Sequence, residues 1–478
     1  MDNFRLVLFM GLALVLLLLY QAWMKDYGPT SEIAANGSVA TTVAVDGSVP
    51  TGMPAAADGS LPGTVPGTVP GSGQPRTARG GTVHVVTDRL AVDISTLGGD
   101  IRRVDLPTFP ISIDQPDIPF RLLDDGAGLF HIAQSGLLAT SGEAPNHTAE
   151  FVAEQTEYTL ADGADTLVVP LRWRGADDLE VEKRFTFHRD SFLIDVEFVV
   201  TNSSGAAVEL SQYRQLQRTE PADDGQAFIY TYTGGVIYNR EDKYEKIDFD
   251  DIADQSLSRD FDHGWAAMIQ HYFLVSWIPH KDEINRYETK YLEGGRYLLR
   301  LISPAASIEP GASETLSTRL YVGPKEQARL REVAEGLVLT VDYGVLTFIA
   351  QPIYWLLEKI HGLVGNWGWT IILLTMMIKA AFYKLSEKSY KSMANMRKMS
   401  PKLTALRERY GDDKQRLQKA MMEIYKKEKI NPLGGCLPIV VQIPVFIALY
   451  WVLLESVELR QAPWILWIND LSTKDPFF

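Results

Sequence analysis

The spacing of hydrophobic residues changes character several times along this chain. Leu6 to Trp23 is an apolar run of 18 residues broken only by Gly11 and Gln21. A helix needs about 20 such residues to cross a bilayer. A cleaved signal peptide is the alternative. Bulky Gln21-Ala22-Trp23-Met24 stands where a small-residue cleavage site would be, so the run predicts an uncleaved anchor over residues 1–27. Tyr20 and Trp23 suit its interface. The periodicity then vanishes. Gly28 to Gly81 is rich in Gly, Ser, Thr, Ala and Pro and repeats Pro62-Gly-Thr-Val-Pro-Gly-Thr-Val-Pro70. It cannot bury a core and predicts a disordered linker over 28–81, with a flexible-chain reach of roughly 40 Å.

From Thr82 the period is 2. Leu167, Val169, Leu171 and Trp173 alternate with other positions, as do Phe192, Ile194, Val196, Phe198 and Val200. His84–Val86, Leu90–Ile94, Phe151–Leu160, Val181–Phe187, Ala227–Tyr232, Trp265–Trp277, Tyr297–Ile302 and Thr315–Val322 are further strand candidates. Short strands separated by Gly, Asp, Pro and Asn predict a large all-β sandwich over 82–324. Residues 325–365 predict a helix over Lys325–Leu337 and an amphipathic one over Leu346–Val364. In the second, Gln351, Tyr354, Glu358 and His361 form one polar stripe, as in a helix lying in the membrane interface.

Two more apolar stretches follow. Residues 366–384 predict a second span, with Trp367 and Trp369 as belt residues and Lys379 inside it. Residues 431–456 predict a third, in which Pro438, Gln442 and Pro444 call for packing against other helices. Between them, residues 385–430 have helical spacing with a break at Tyr410-Gly411-Asp412-Asp413, which predicts an antiparallel helical hairpin. Met393, Met396 and Met399 are its packing seam or an adaptable surface for apolar clients. Residues 457–478 read as a loop.

Charge orients these pieces. Lys384 to Ile430 holds 14 Lys/Arg less 6 Asp/Glu, a net +8, while the chain carries −14, leaving −22 elsewhere. Basic loops stay cytoplasmic. The hairpin is therefore cytoplasmic, the acidic β-domain lies across the membrane, and the N-terminus is cytoplasmic. The fold class expected is a multi-domain membrane protein: α-helical spans, a large all-β sandwich outside the cytoplasm and a cytoplasmic antiparallel helical hairpin.

The chemistry is sparse. The single cysteine, Cys436, excludes an intrachain disulfide. The eight histidines form no metal-ligand spacing. No Gly-rich phosphate loop, G-x-S-x-G or HExxH is present. No cofactor, small-molecule substrate or covalent catalytic site is expected.

The motifs point further. Asn431-Pro-Leu-Gly-Gly-Cys-Leu-Pro-Ile-Val-Val-Gln-Ile-Pro444, Val457-Glu-Leu-Arg-Gln-Ala-Pro463, Gly365-Asn-Trp-Gly368 and Gly411-Asp-Asp-Lys-Gln-Arg416 mark the helical part. Gly98-Gly-Asp100, Gln134-Ser-Gly-Leu137, Lys243-Tyr-Glu-Lys246 and Trp277-Ile-Pro-His280 mark the β part. With these the chain resembles the YidC-type membrane protein insertases of Gram-negative bacteria over nearly its whole length. The resemblance implies an inner-membrane protein that inserts newly made membrane proteins, alone or beside the Sec translocon, through a groove open to the cytoplasm and the lipid. It implies Lys379 as the groove's hydrophilic centre, where many relatives have arginine. Lys384 stands where relatives commonly have proline. The family continues into three more spans, whereas this sequence stops at Phe478, so a fragment or a truncated product is expected.

On residues alone, Lys379 has a second reading. It lies about 7.5 Å along a helix from Lys384 and can snorkel to the headgroups. Thr375 and Tyr383 flank it at i−4 and i+4, and Gln442 on the third span adds a polar group. All three serve either the groove or plain packing. On the hairpin, Lys398, Lys402, Arg407, Arg409, Lys414 and Arg416 either obey topology or touch a ribosome, a client or anionic lipid. Two other functions stay open: a structural scaffold for the Sec machinery, and a tethered sugar-binding or sugar-modifying β-domain. The last would need converging carboxylates around His131, His188, His263 or His271.

Overall fold

The computed structural model describes residues 81–126, 130–176, 178–221, 231–280, 283–411, 413–427 and 437–473. The expected anchor and almost all of the linker lie outside them. So do most of the candidate strand Ala227–Tyr232 and the Asn431–Cys436 start of the third span. The described residues up to Val341 form one compact unit and those from Asp342 another.

The first unit is built of strands. In chain order they are β1 (Thr82–Val86), β2 (Ala91–Ser95), β3 (Asp100–Ser112), β4 (Gln115–Leu123), β5 (His131–Ala139), β6 (Val152–Ala153), β7 (Glu157–Thr159), β8 (Thr166–Arg174), β9 (Leu179–His188) and β10 (Leu193–Asn202). They continue as β11 (Val208–Thr219), β12 (Gly234–Asn239), β13 (Lys243–Ile247), β14 (Ser258–Asp262), β15 (Trp265–Ile269), β16 (Phe273–Ile278), β17 (Ile284–Leu292), β18 (Arg296–Ile302), β19 (Ala306–Ile308) and β20 (Ser313–Pro324). A short helix, α1 (Phe249–Asp254), interrupts them. Among the described residues one sheet runs β14-β17-β18-β11-β5-β3-β2-β1-β7, with β19 on β11 and β4 on β3. The other runs β13-β12-β15-β16-β20-β10-β9-β8-β6. Contacts cross between them: Trp277 Nε1 on β16 donates to the Gln215 carbonyl on β11 at 3.1 Å.

Strands β8, β9 and β10 alternate as expected, with Val181, Phe185, Phe187, Ile194, Val196 and Phe198 buried. Elsewhere the strands differ from expectation. Trp265–Trp277 is not one strand but the β15–β16 hairpin, turned at Gln270–Tyr272 by reciprocal Gln270–Phe273 backbone bonds. Phe151–Leu160 is two short strands, β6 pairing β8 and β7 pairing β1. The helix expected over Lys325–Leu337 is shorter, α2 (Gln327–Val333). Gly336, at φ +74, then turns the chain so closely over Tyr238 that a Cβ would lie 2.2 Å from its ring. The helix has already ended at Ala334, whose backbone is extended.

The second unit is helical: α3 (Thr347–Val364), α4 (Trp367–Ala381), α5 (Tyr383–Tyr410), α6 (Lys414–Lys427) and α7 (Leu437–Glu455). α3 packs against both α4 and α7, and α5 packs against α6. The residues expected to form the second span, 366–384, are not one continuous helix. α4 ends at Ala381, and α5 leaves at 56° after Phe382. Among the described residues no single helix is long and apolar enough to cross a membrane; α4 and the first part of α5, to Met399, pass that test together as a bent pair.

Candidate functional site

The helical site rests on a joint at Gly365–Gly368. Gly365, at φ +70, closes α3 by donating its N–H to the His361 carbonyl at 2.7 Å. The left-handed backbone there suits glycine. Asn366 is the N-cap of α4, its Oδ1 accepting from the Trp369 N–H at 3.1 Å. Its Nδ2 donates to the Pro463 and Trp464 carbonyls at 3.2 and 3.3 Å. Gly368 has no room for a side chain, since a Cβ would sit 2.1 Å from Trp464 Cδ1. His361 stacks on Trp367, ring centroids 3.7 Å apart. The chain leaving α7 is thus locked to the start of α4, and Tyr354 on α3 donates to Glu458 Oε1 at 2.8 Å beside it.

This joint orients α4. Thr370, Leu374 and Ile378, at i, i+4 and i+8, form its buried stripe. Thr375 and Lys379 lie one position further round. Thr375 is half-buried and its hydroxyl bonds back to the Ile372 carbonyl at 2.8 Å. Lys379 is exposed, among exposed Met376 and Met377. Tyr383 is also exposed, but it opens α5 beyond the bend, so one helical face does not carry it with Lys379. Gln442 lines a recess of about 390 Å³ on α7 with Ile443, Phe446, Ile447 and Tyr450. Thr375 and Lys379 do not line that recess. The structure therefore keeps two polar positions together on α4 and sets Tyr383 and Gln442 on other helices.

The basic positions divide between α5 and α6. Lys398, Lys402 and Arg409 are exposed on α5 and Arg407 is half-exposed there. Lys414 begins α6. Arg416 pairs with Asp413 at 3.1 Å.

Sequence reasoning missed a buried polar network in the β unit. Asp100 Oδ2 accepts from Arg102 Nη2 at 2.9 Å and from Gln134 Nε2 at 2.6 Å. Gln134 Oε1 in turn accepts from Gln215 Nε2 at 2.8 Å. Lys183 is fully buried and donates to the Gly98 and Ser135 carbonyls at 3.0 and 2.9 Å. Burial pulls its ammonium down to about 7, opposed by the charge of Asp100. The Gly98-Gly-Asp100 and Gln134-Ser-Gly-Leu137 motifs were the visible signal. Gly99 lies under Lys183, a Cβ coming 2.8 Å from its Cδ, and Gly136 under Tyr213, 2.6 Å from its hydroxyl.

The histidines do not converge. His188 meets Asp195 at 2.6 Å and His263 meets Asp262 at 3.1 Å, each pair local to its own chain segment. His271 stacks on Tyr272. His131 is buried, and burial followed by the charge of Arg218 holds its imidazole well below its ordinary range.

Residues 82–356 match the YidC periplasmic domain, and residues 359–478 match the 60Kd inner membrane protein. The membrane protein insertase YidC of Thioalkalivibrio sulfidiphilus is 49% identical over 488 residues, which covers 100% of this chain and 86% of that protein. The chain belongs to the YidC family. The YidC of Alkalilimnicola ehrlichii is 51% identical over 484 residues, 100% of this chain and 84% of its own. Among solved structures, a galactose mutarotase-like protein from Lactobacillus casei aligns at TM-score 0.37 with 7% identity, covering 51% of this chain and 100% of that one. By the first of these family matches, the β unit falls in the YidC periplasmic domain. The α4–α7 helices fall in the family's inner-membrane part.

Proposed function

We infer that this protein is a membrane protein insertase of the bacterial inner membrane, which places hydrophobic segments of newly made proteins into the bilayer. The observation that carries this is identity near one half along the entire chain to YidC insertases, periplasmic and inner-membrane parts alike.

The site we assign is the α4 face bearing Thr375 and Lys379, with Gln442 and Tyr383 contributing from α7 and α5 as clients enter. What supports it is a cation in an exposed position on an otherwise apolar helix. Magnitudes say how it works. At 4 Å, Lys379 and a client carboxylate attract by about 1 kcal/mol in water and about 4 kcal/mol at an effective dielectric of 20. Carrying that carboxylate unpaired into hydrocarbon costs on the order of tens of kcal/mol. The ion pair cannot offset this alone. Water held in the groove by the ammonium lowers most of the barrier, and the charge selects acidic tails.

The spans run so that α5 and α6 face the cytoplasm and the β unit faces the periplasm. Lys398, Lys402, Arg407, Arg409, Lys414 and Arg416 then meet a ribosome, a client tail or anionic lipid. The protein acts alone or beside the Sec translocon. Purified protein in liposomes without Sec components, offered a short single-span client, tests this. Insertion above empty liposomes is expected. Insertion only after Sec components are added would assign a scaffold role instead.

A further inference from the structure

The turn at Ile465–Trp467, in the segment that follows α7, is built for an apolar surrounding. The Trp464 N–H donates to the Ile468 carbonyl at 2.9 Å and the Ile468 N–H to the Ile465 carbonyl at 3.2 Å, which closes the turn. Its tip is Leu466, at φ +57. A tip in that left-handed conformation facing water is ordinarily Gly, Asn or Asp, which fit the backbone and the solvent. Here it is leucine, 75% exposed, between Ile465 at 43% and Trp467 at 44%. Asn366 and Gly368 hold this turn against the start of α4, where Trp369 is also exposed, as are Leu363 and Val364 at the end of α3 just before it. Two separate chain segments, joined by the Asn366–Trp464 bond and the Trp369–Trp464 ring contact, therefore both expose apolar side chains.

We propose that the Ile465–Trp467 turn is a membrane wedge, inserted into the acyl–headgroup boundary of the periplasmic leaflet. The proposal rests on the reading that α4 and α7 lie in the bilayer. Continuity argues for lipid as the occupant: the turn is bonded to the first turn of α4 and lies a short way beyond the last turn of α7. A tip residue there meets the bilayer edge without further folding. The flanking indole suits that depth, with an apolar ring and a polar N–H. The wedge would fix the height of both helices relative to the membrane surface, as an interfacial anchor does.

The test uses the full chain with Cys436→Ala, reconstituted in phosphatidylethanolamine–phosphatidylglycerol liposomes. A polarity-sensitive fluorophore is attached at Leu466→Cys, at Asp162→Cys in an exposed turn of the β unit, and at Leu373→Cys on the apolar exterior of α4. At Leu466, emission shifted to the blue and quenched by nitroxides carried high on the acyl chain is expected, with iodide quenching several-fold weaker than at Asp162. Iodide quenching equal to that at Asp162 overturns the wedge. So does protection from both quenchers, which means a second copy or another part of the chain covers the turn. If Leu373 reports lipid while Leu466 reports water, only the wedge fails. If both report water, the bilayer reading itself fails.

Discussion

The two units treat polar side chains in opposite ways. In the β unit Asp100, Lys183, Gln134, Gln215 and Arg214 are buried, and each has a hydrogen-bond partner. In the helical unit Lys379 and Tyr383 are exposed, and Leu373, Met376 and Met377 on α4 and Val440 and Val441 on α7 are large, apolar and exposed as well. Buried polar networks restrict the ways a core can pack, although here Asp100 Oδ1, Arg214 Nε and Gln215 Oε1 are buried without a hydrogen-bond partner. A lone cation on an apolar exterior specifies nothing in water, and makes sense where lipid and water both reach it. On the proposed reading, the larger unit, rich in histidine, arginine and carboxylates, is structural. On the same reading, the sparse helices carry the function.

The comparison breaks if the buried network proves dispensable to the β unit. Asp100→Ala removes the acceptor of Arg102 and Gln134 and the negative charge that opposes the effect of burial on Lys183. Stranding buried charge in this way costs about 3–5 kcal/mol. Urea unfolding of the β unit should show that loss, and an unchanged midpoint would contradict its structural role. At the helical joint, Gly368→Val must push Trp464 aside. Overpacking of this kind costs about 1–3 kcal/mol, expected as a lower melting temperature in detergent while the β unit's urea midpoint stays put.

Titration sharpens the contrast further. Lys183 releases its proton at about 7 in the folded state and near 10.5 when unfolded. Across that window the unfolded chain holds a proton that the folded chain has lost, so stability rises with pH and falls back as pH drops to 7. The slope is at most about 1.4 kcal/mol per pH unit. Lys183→Met should flatten it between pH 7 and 9. His131, depressed well below 6.5, acts likewise at lower pH: stability is lost as pH falls from 6.5 toward its folded value. The smallest effect is expected on α6. The Arg416–Asp413 pair is exposed, and such pairs contribute about 0.2–1 kcal/mol. Arg416→Ala should leave the melting temperature within error.

What the sequence revealed followed solvent exposure. Strands β8 to β10 were legible because one face of each meets water, giving a clean period of 2. Strand β11 was not, because Gln212, Arg214, Gln215, Gln217 and Arg218 are all buried and no apolar alternation survives. Prolines at 107, 110, 116 and 119 hid β3 and β4, which form an irregular pair with shifted register. The bend at Phe382 carries neither Gly nor Pro, so nothing local announced it. Helix α3 was legible as a helix, but its expected polar stripe is not a solvent face: Tyr354 is buried and bonded to Glu458 while Phe348, Trp355 and Leu363 are exposed. Lys379 stood out as the charge inside an apolar run. The joint at Asn366 and Gly368 was visible as a motif, but its partners, Pro463 and Trp464, lie nearly one hundred residues away, which no local pattern reveals.

The central claim is that the Lys379 charge serves a hydrated client groove. The direct measurement is the insertion rate of matched clients with acidic and neutral N-terminal tails by Lys379→Arg, Lys379→Ala and Lys379→Glu proteins. Arginine keeps the cation and should preserve insertion. Alanine should slow acidic-tailed clients by about tenfold, which corresponds to roughly 1.4 kcal/mol, and neutral-tailed clients far less. Glutamate should slow acidic-tailed clients further by like-charge repulsion. Equal rates for both clients across all three substitutions would make Lys379 a snorkelling lysine and contradict the groove.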